Sequence, residues 1–240
     1  MRNPKWHRDE IILALDLYFN PDRGSLDSNN PNIINLSRIL NELPLFAHKP
    51  DEQRFRNPNG VTLKLCNFLP FDNDYNGKGM TRGSILDQEL FIEFSNKRSE
   101  LKIIATSIKA AISNIDVKTA ISLVEDDDVT VLEGSILYKL HKVIERNSTI
   151  VKKKKERVIE IYGKLSCEIC DFDFENFYGE IGNGFIECHH RTPLAQISVR
   201  AQTSLSDLAL VCANCHRIIH RNLKTHHFEE IKALIQKRLC

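Results

Sequence analysis

The chain has 240 residues, 42% of them hydrophobic and 27% charged, with a formal net charge of +1. That balance is ordinary for a globular protein and excludes a binder acting through global charge, so any contact with nucleic acid must rest on local patches. No apolar run reaches the ~18 residues of a membrane span, and no signal-peptide core follows the N-terminus.

A cytoplasmic protein without a membrane partner is therefore expected. In that reducing setting the seven cysteines read as metal ligands or free thiols rather than disulfides.

Residues 8–19 predict a helix. Ile11, Ile12, Leu15 and Phe19 share a face, and acids stand in the first turn, where the helix dipole favours them. Trp6, just before it, reads as a core anchor rather than a base-stacking platform. A loop rich in Asn, Asp, Ser, Gly and Pro covers 20–31. The spacing of Ile33, Leu36, Ile39, Leu40 and Leu43 predicts a second helix over 32–43, stopped by Pro44.

Asn57 and Pro58 then form the N-cap and first position of a third helix. Val61, Leu65 and Phe68 make its buried stripe; Asn59, Thr62, Lys64 and Asn67 make a polar face; Pro70 ends it. Three short helices whose last carries small polar and basic side chains resemble a helix-turn-helix reader, which would place Lys64 and Asn67 on DNA. The alternative is an ordinary amphipathic helix with a solvated face.

A loop with Lys78, Met80 and Arg82 leads to helices at 86–95 and 98–114. The acidic run at 125–128 reads as a solvated linker, 134–146 as a connecting helix, and 150–163 as a helix bearing Lys152, Lys153, Lys154, Lys155 and Arg157. That basic face is either solvated or a phosphate contact. The expected division is a helical domain at 1–115, a linker with a connecting helix at 116–150, and a last domain at 151–240.

Chemistry concentrates in residues 167–220. Cys167 and Cys170 form one Cys-x-x-Cys knuckle, Cys212 and Cys215 the other. Four thiolates suit zinc and leave no open coordination position, so this site is expected to be structural. Cys66, Cys188 and Cys240 are left over. Between the knuckles a glycine-rich turn at 179–184 precedes a strand at 184–189, Pro193 ends it, and a loop runs to about 205. A second strand at 207–211 enters a helix at 213–221. On that helix His216 and His220 lie one turn apart on one face. His189 and His190 stand where the first strand ends. Extended chain would send them to opposite faces, so a break is expected there if both serve one site.

The pattern Cys-x-x-Cys, a strand ending His-His-x-x-Pro-Leu, a strand entering Cys-x-Asn-Cys-His, and a His four residues on resembles the HNH endonucleases, also called ββα-metal nucleases. Within them it is most similar to the zinc-stapled module of McrA-type modification-dependent restriction enzymes. The resemblance covers about 150–222. It implies an α+β protein: a mostly helical N-terminal domain followed by a zinc-stapled ββα-metal nuclease domain. It implies DNA as partner and hydrolysis of DNA phosphodiesters, in restriction of foreign or modified DNA. His190 would be the general base; His189, His216 and His220 would hold a catalytic divalent ion, Mg, Mn, Ni, Co or Zn, beside the structural zinc. Arg191, Arg217 and Arg221 would contact neighbouring phosphates.

One position departs from the family: where it usually has a bracing Asn, this chain has Asp207, which when ionised can only accept hydrogen bonds. Glu187 is placed to support a ligand from outside the metal's own shell, and His226 and His227 read as surface residues. Cutting both strands with one site takes two active sites or two nicks, so a homodimer is among the expected arrangements. The rival readings are a zinc DNA-binding protein without catalysis, and an HNH nuclease of repair, homing or toxin type.

Overall fold

The computed structural model describes residues 2–77, 79, 83–124, 135–145, 148–191, 204–222 and 227–239. Lys78, Met80, Arg82, the acidic run at 125–128, Pro193 and most of its loop, His226 and Cys240 lie outside them. The chain divides into two units, Met1–Leu140 and His141–Cys240.

The first unit is helical: α1 (Arg8–Tyr18), α2 (Pro31–Glu42), α3 (Pro58–Cys66), α4 (Ile85–Ser95), α5 (Arg98–Ser113), α6 (Ile115–Ser122) and the start of α7 (Ser135–Glu145). α1 is its centre, packing against α2, α3, α4 and α5. It is buried nearly all round, with Ile11, Ile12, Leu13, Ala14 and Leu15 fully covered. Its N-terminus is fixed by a capping box: the His7 ring accepts from Asp9 N–H, and Glu10 accepts from His7 N–H at 2.7 Å. Tyr18, Phe68 and Phe91 pack edge-on or tilted at the other end, and the Tyr18 hydroxyl donates to Asp72 at 2.6 Å.

Burial of charge is this unit's other feature. Asp9 accepts from the Ser135 and Ile136 N–H groups at the start of α7, where the helix dipole offsets its charge. Glu10 takes both arms of the Arg56 guanidinium at 2.6 and 2.7 Å. Asp87, third residue of the Ser84 capping box on α4, takes the Lys64 ammonium at 2.8 Å.

Asn57 caps α3 and Pro58 opens it, as the sequence predicts. The polar face is a correction. Lys64 is only 5% exposed, whereas Leu63 is 54% exposed. Lys64 follows Val61 by three positions and so lies beside the apolar stripe, and the carboxylate that draws it inward comes from a different helix. A second correction is α6, which occupies part of the stretch read as linker.

The second unit holds the rest of α7 and α8 (Ser148–Tyr162), α9 (Phe174–Tyr178), β1 (Glu187–His190), β2 (Leu208–Val211), α10 (Ala213–Asn222) and α11 (Phe228–Leu239). β1 and β2 are antiparallel, with Glu187 opposite Val211 and His190 opposite Leu208. The strand begins later than expected and runs unbroken through both histidines. α9 and α11 were not anticipated. After α9 the chain folds back so tightly that a Cβ on Gly182 would sit 2.1 Å from the Phe174 carbonyl oxygen. The unit's core joins Leu165, Ile169, Ile186, Leu208, Leu210, Ile219, Phe228 and Ile231 with the knuckle cysteines.

Candidate metal centre and nuclease site

The first knuckle is a tight hairpin. Ser166 pairs with Asp173 in an isolated bridge, Cys167 N–H donates to the Phe172 carbonyl, and Asp171 takes a positive φ of 57° to close the turn. The second knuckle is a helix start. Cys212 precedes α10, its carbonyl accepts from His216 N–H at 2.9 Å, and its Sγ accepts from Cys215 N–H at 3.4 Å. One ligand atom from each of Cys167, Cys170, Cys212 and Cys215 lies within 4.8 Å of all the others. Burial works against the Cys167 thiolate, but N–H groups of Cys212, Cys170 and Ile169 outweigh it and lower its pKa. Burial pushes the Cys170 thiol up to about 11 and raises Cys215 further. Crowded thiols in a dry site resist joint ionisation, and a divalent cation removes that penalty. The donor set fits zinc.

The second cluster is built from β1 and α10. One ring nitrogen from each of His189, His216 and His220 lies within 4.8 Å of the others. Nε2 of His216 and Nε2 of His220 are 3.0 Å apart. Glu187 accepts from Nδ1 of His216 at 2.6 Å, which fixes the tautomer with Nε2 turned to its neighbour. The strand alternation puts Glu187 and His189 on one face, so the acid and the first histidine address α10 together. Phe228 of α11 stacks on His189 with ring centroids 6.0 Å apart and planes at 23°. Three imidazoles converging with one nitrogen each are a donor set for a divalent transition ion.

His190, next along β1, is 1% exposed and is not in that cluster. It lies near Asp207, whose carboxylate is held below its ordinary pKa by hydrogen bonds from Ser204 and, to a smaller extent, by the charge of His190. Asp207 accepts from Ser204 N–H and Oγ–H, both at 2.7 Å, and its backbone carbonyl accepts from Arg191 N–H at 2.8 Å.

The arginines divide. Arg217 and Arg221 are exposed on α10 and have no ion-pair partner among the described residues. Arg191 is engaged: its guanidinium pairs with Glu168 and, at 2.8 Å, with Glu229, and lies 4.9 Å from the centre of the Phe228 ring. Its two ion pairs make it a brace as the structure stands. Lys154 and Lys155 of the basic helix likewise donate to the carbonyls of Leu205 and Gly184, while Lys152 and Lys153 are exposed. In the first unit Lys64 is buried and Asn67 reaches Asp87 only at 3.5 Å, so α3 does not present Lys64 to a duplex.

Glu168 was missed by sequence reasoning. Set between the first two knuckle cysteines, it accepts from Leu210 N–H of β2 at 2.9 Å and pairs with Arg191, while its own N–H donates to the Leu210 carbonyl. It ties the cysteine knuckle to both strands. Phe228 and Glu229 were missed because α11 was; the spacing of Phe228, Ile231 and Ile235 would have predicted that helix.

No curated protein and no solved structure matches the chain. The HNH endonuclease family model matches residues 167–222, the span that holds the four cysteines and the histidine cluster. The chain therefore carries an HNH endonuclease domain at its C-terminal end, with a four-cysteine cluster consistent with structural zinc.

Proposed function

We propose that the protein hydrolyses DNA phosphodiester bonds, with His190 as general base and with His189, His216 and His220 holding a divalent ion. The observation that carries this reading is the convergence of three imidazoles on α10 and β1, one residue from a fourth. When bound, the ion supplies positive charge to the scissile phosphate and to the departing 3′ oxygen. Glu187 keeps His216 in the ligating tautomer. His190 accepts the proton of the attacking water on a ring nitrogen, a role suited to an imidazole near neutral pH. The imidazolium so formed is attracted by the Asp207 carboxylate nearby. Arg217 and Arg221, exposed on the same helix, meet the flanking phosphates. Products carry 5′-phosphate and 3′-hydroxyl ends.

The cysteine cluster holds zinc in this reading, and the protein works in the reducing cytoplasm, where its thiols stay available. The biological role is restriction of foreign or modified DNA. Among the described residues no helix is long and apolar enough to cross a membrane.

The test is nicking of supercoiled plasmid with Mn2+ or Mg2+ by the wild-type protein and by His190→Ala. Loss of general-base catalysis lowers the rate about 10²–10⁴-fold. Equal activity of the two proteins, or none from either with any divalent ion, sinks the catalytic reading. A parallel digest of modified and unmodified DNA of one sequence tests the restriction role, which requires the modified substrate to be cut faster.

A further inference from the structure

The N-terminal unit contains a cavity that the nuclease chemistry does not use. It has a volume of about 960 Å3, and its lining includes Arg2, Lys5, Trp6, Arg56, Lys64 and Ile85, with no acidic residue among the described lining residues. In a chain of net charge +1 this is a local concentration of positive charge. Its cations play two parts. Arg56 and Lys64 are buried and neutralised by Glu10 and Asp87, so they build the site. Arg2 and Lys5 are exposed and have no ion-pair partner among the described residues, so their charge is available to a ligand.

Trp6 is held by that construction. The Arg56 guanidinium lies 4.5 Å and the Lys64 ammonium 4.9 Å from the indole centre. Arg56 also donates to the carbonyls of Pro4 and Lys5 at 3.2 and 3.0 Å, pinning the segment that carries Trp6. Arg56 does this from a left-handed backbone, φ 44°. A buried non-glycine residue in that region is strained and persists where the surroundings over-determine it, a feature that clusters at active sites and ligand clamps. Here the surroundings are explicit: Ser37 and Asn41 also hold the Arg56 carbonyl. Trp6 itself is only partly covered, so part of its ring is open to a ligand.

We propose that this cavity is a second nucleic-acid site: it takes a nucleotide of a DNA strand, with the base against Trp6 and the apolar wall and the flanking phosphates on Arg2 and Lys5. An aromatic wall rimmed by unpaired cations is the composition that binds accessible nucleotides with little sequence preference. That the strand is DNA rests on the proposed function; the binding itself is independent of cleavage.

The chain has one tryptophan, so its fluorescence reports this site alone. The experiment titrates a fluorescein-labelled single-stranded oligodeoxynucleotide into the full-length His190→Ala protein without added divalent ions, following label anisotropy and, with unlabelled strand, Trp6 emission. The expected result is saturable quenching of Trp6 that tracks the anisotropy curve. Trp6→Ala weakens binding about tenfold, within the range for losing one base–aromatic contact, and Trp6→Phe recovers most of it. Arg2→Ala with Lys5→Ala, both at exposed positions, lowers the slope of log affinity against log salt by about 1.4, the contribution of two phosphate contacts on a single strand. Oligonucleotide binding with Trp6 emission unchanged and the Arg2/Lys5 variant unaffected overturns the proposal. So does equal quenching by inorganic tripolyphosphate, which marks a small-anion site, and so does absence of binding. Because cleavage is scored separately on the wild type with metal, failure here leaves the nuclease reading standing, and the reverse also holds.

Discussion

The two units bury polar groups in opposite ways. In Met1–Leu140 three buried carboxylates meet complements within the chain: Asp9 meets the N-terminus of α7, Glu10 meets Arg56, and Asp87 meets Lys64. In His141–Cys240 the buried functional groups are alike, thiol beside thiol and imidazole beside imidazole. Complementary pairs are satisfied by folding alone. Like donors pointed at one another are the arrangement that a cation from outside would satisfy together, a demand the first unit does not make.

Removing that cation is the largest blow to the contrast. Cys167→Ser, or a chelator strong enough to strip zinc, is expected to abolish cooperative folding of the second unit and leave the first folded. Structural zinc contributes an apparent ~10–16 kcal/mol in small metal-dependent domains, and the apolar cluster here is small. Calorimetry with zinc analysis checks this: the wild type shows two transitions, the variant one. A zinc-free variant that keeps both transitions refutes the staple.

The reciprocal break is in the first unit. Arg56→Ala leaves Glu10, which has no exposed surface, without its bidentate partner. Breaking a buried pair from one side costs about 3–5 kcal/mol. Chemical denaturation followed by circular dichroism is expected to show the N-terminal transition at lower denaturant while zinc content is unchanged. A loss of under about 1 kcal/mol, the worth of a surface pair, shows that Glu10 is satisfied otherwise.

The contrast also explains what the sequence could reveal. The knuckles and the i, i+4 histidines were legible because the ligands of each half-site are neighbours in the chain, so spacing alone encodes them. α1, α2 and the cap of α3 were legible because apolar period and capping chemistry are local. Lys64 was misplaced because its partner Asp87 arrives from another helix, and no local pattern says which cation a buried carboxylate will claim. Asp207 stood out as a departure, but that its carboxylate turns back on Ser204 is a local geometry that composition cannot show. Glu168 was invisible between two cysteines.

Glu168 gives a gentler probe of the second unit. It links the first knuckle to β2 through Leu210 and to the end of β1 through Arg191. Glu168→Ala removes hydrogen bonds to a charged, largely covered group and is expected to cost about 1.5–3 kcal/mol. Glu168→Gln keeps an acceptor for Leu210 N–H and costs less. Denaturation of the two variants, with zinc bound, ranks them. If glutamine is as damaging as alanine, the Arg191 pair carries the link; if neither destabilises, the knuckle and strands are held by zinc alone.

The smallest effect concerns Asp207. Its carboxyl is held below its ordinary value near 3.8, first by the Ser204 hydroxyl and then by the Ser204 N–H, with His190 a lesser cause. A depressed acid contributes stability that is present above the unfolded pKa and is lost as pH falls through the folded one. Ser204→Ala removes the hydroxyl bond at 2.7 Å while leaving the N–H, so the Asp207 midpoint rises toward its ordinary value and the acid loss becomes smaller and is complete at higher pH. At neutral pH the carboxylate stays ionised in both proteins, and the variant there lacks the small stability that the hydroxyl bond contributes. Carboxyl NMR titration of Asp207 reads this directly. An unmoved midpoint means that the Ser204 hydroxyl is not what holds the charge, and attention then passes to the backbone N–H and to His190 across the strand pair.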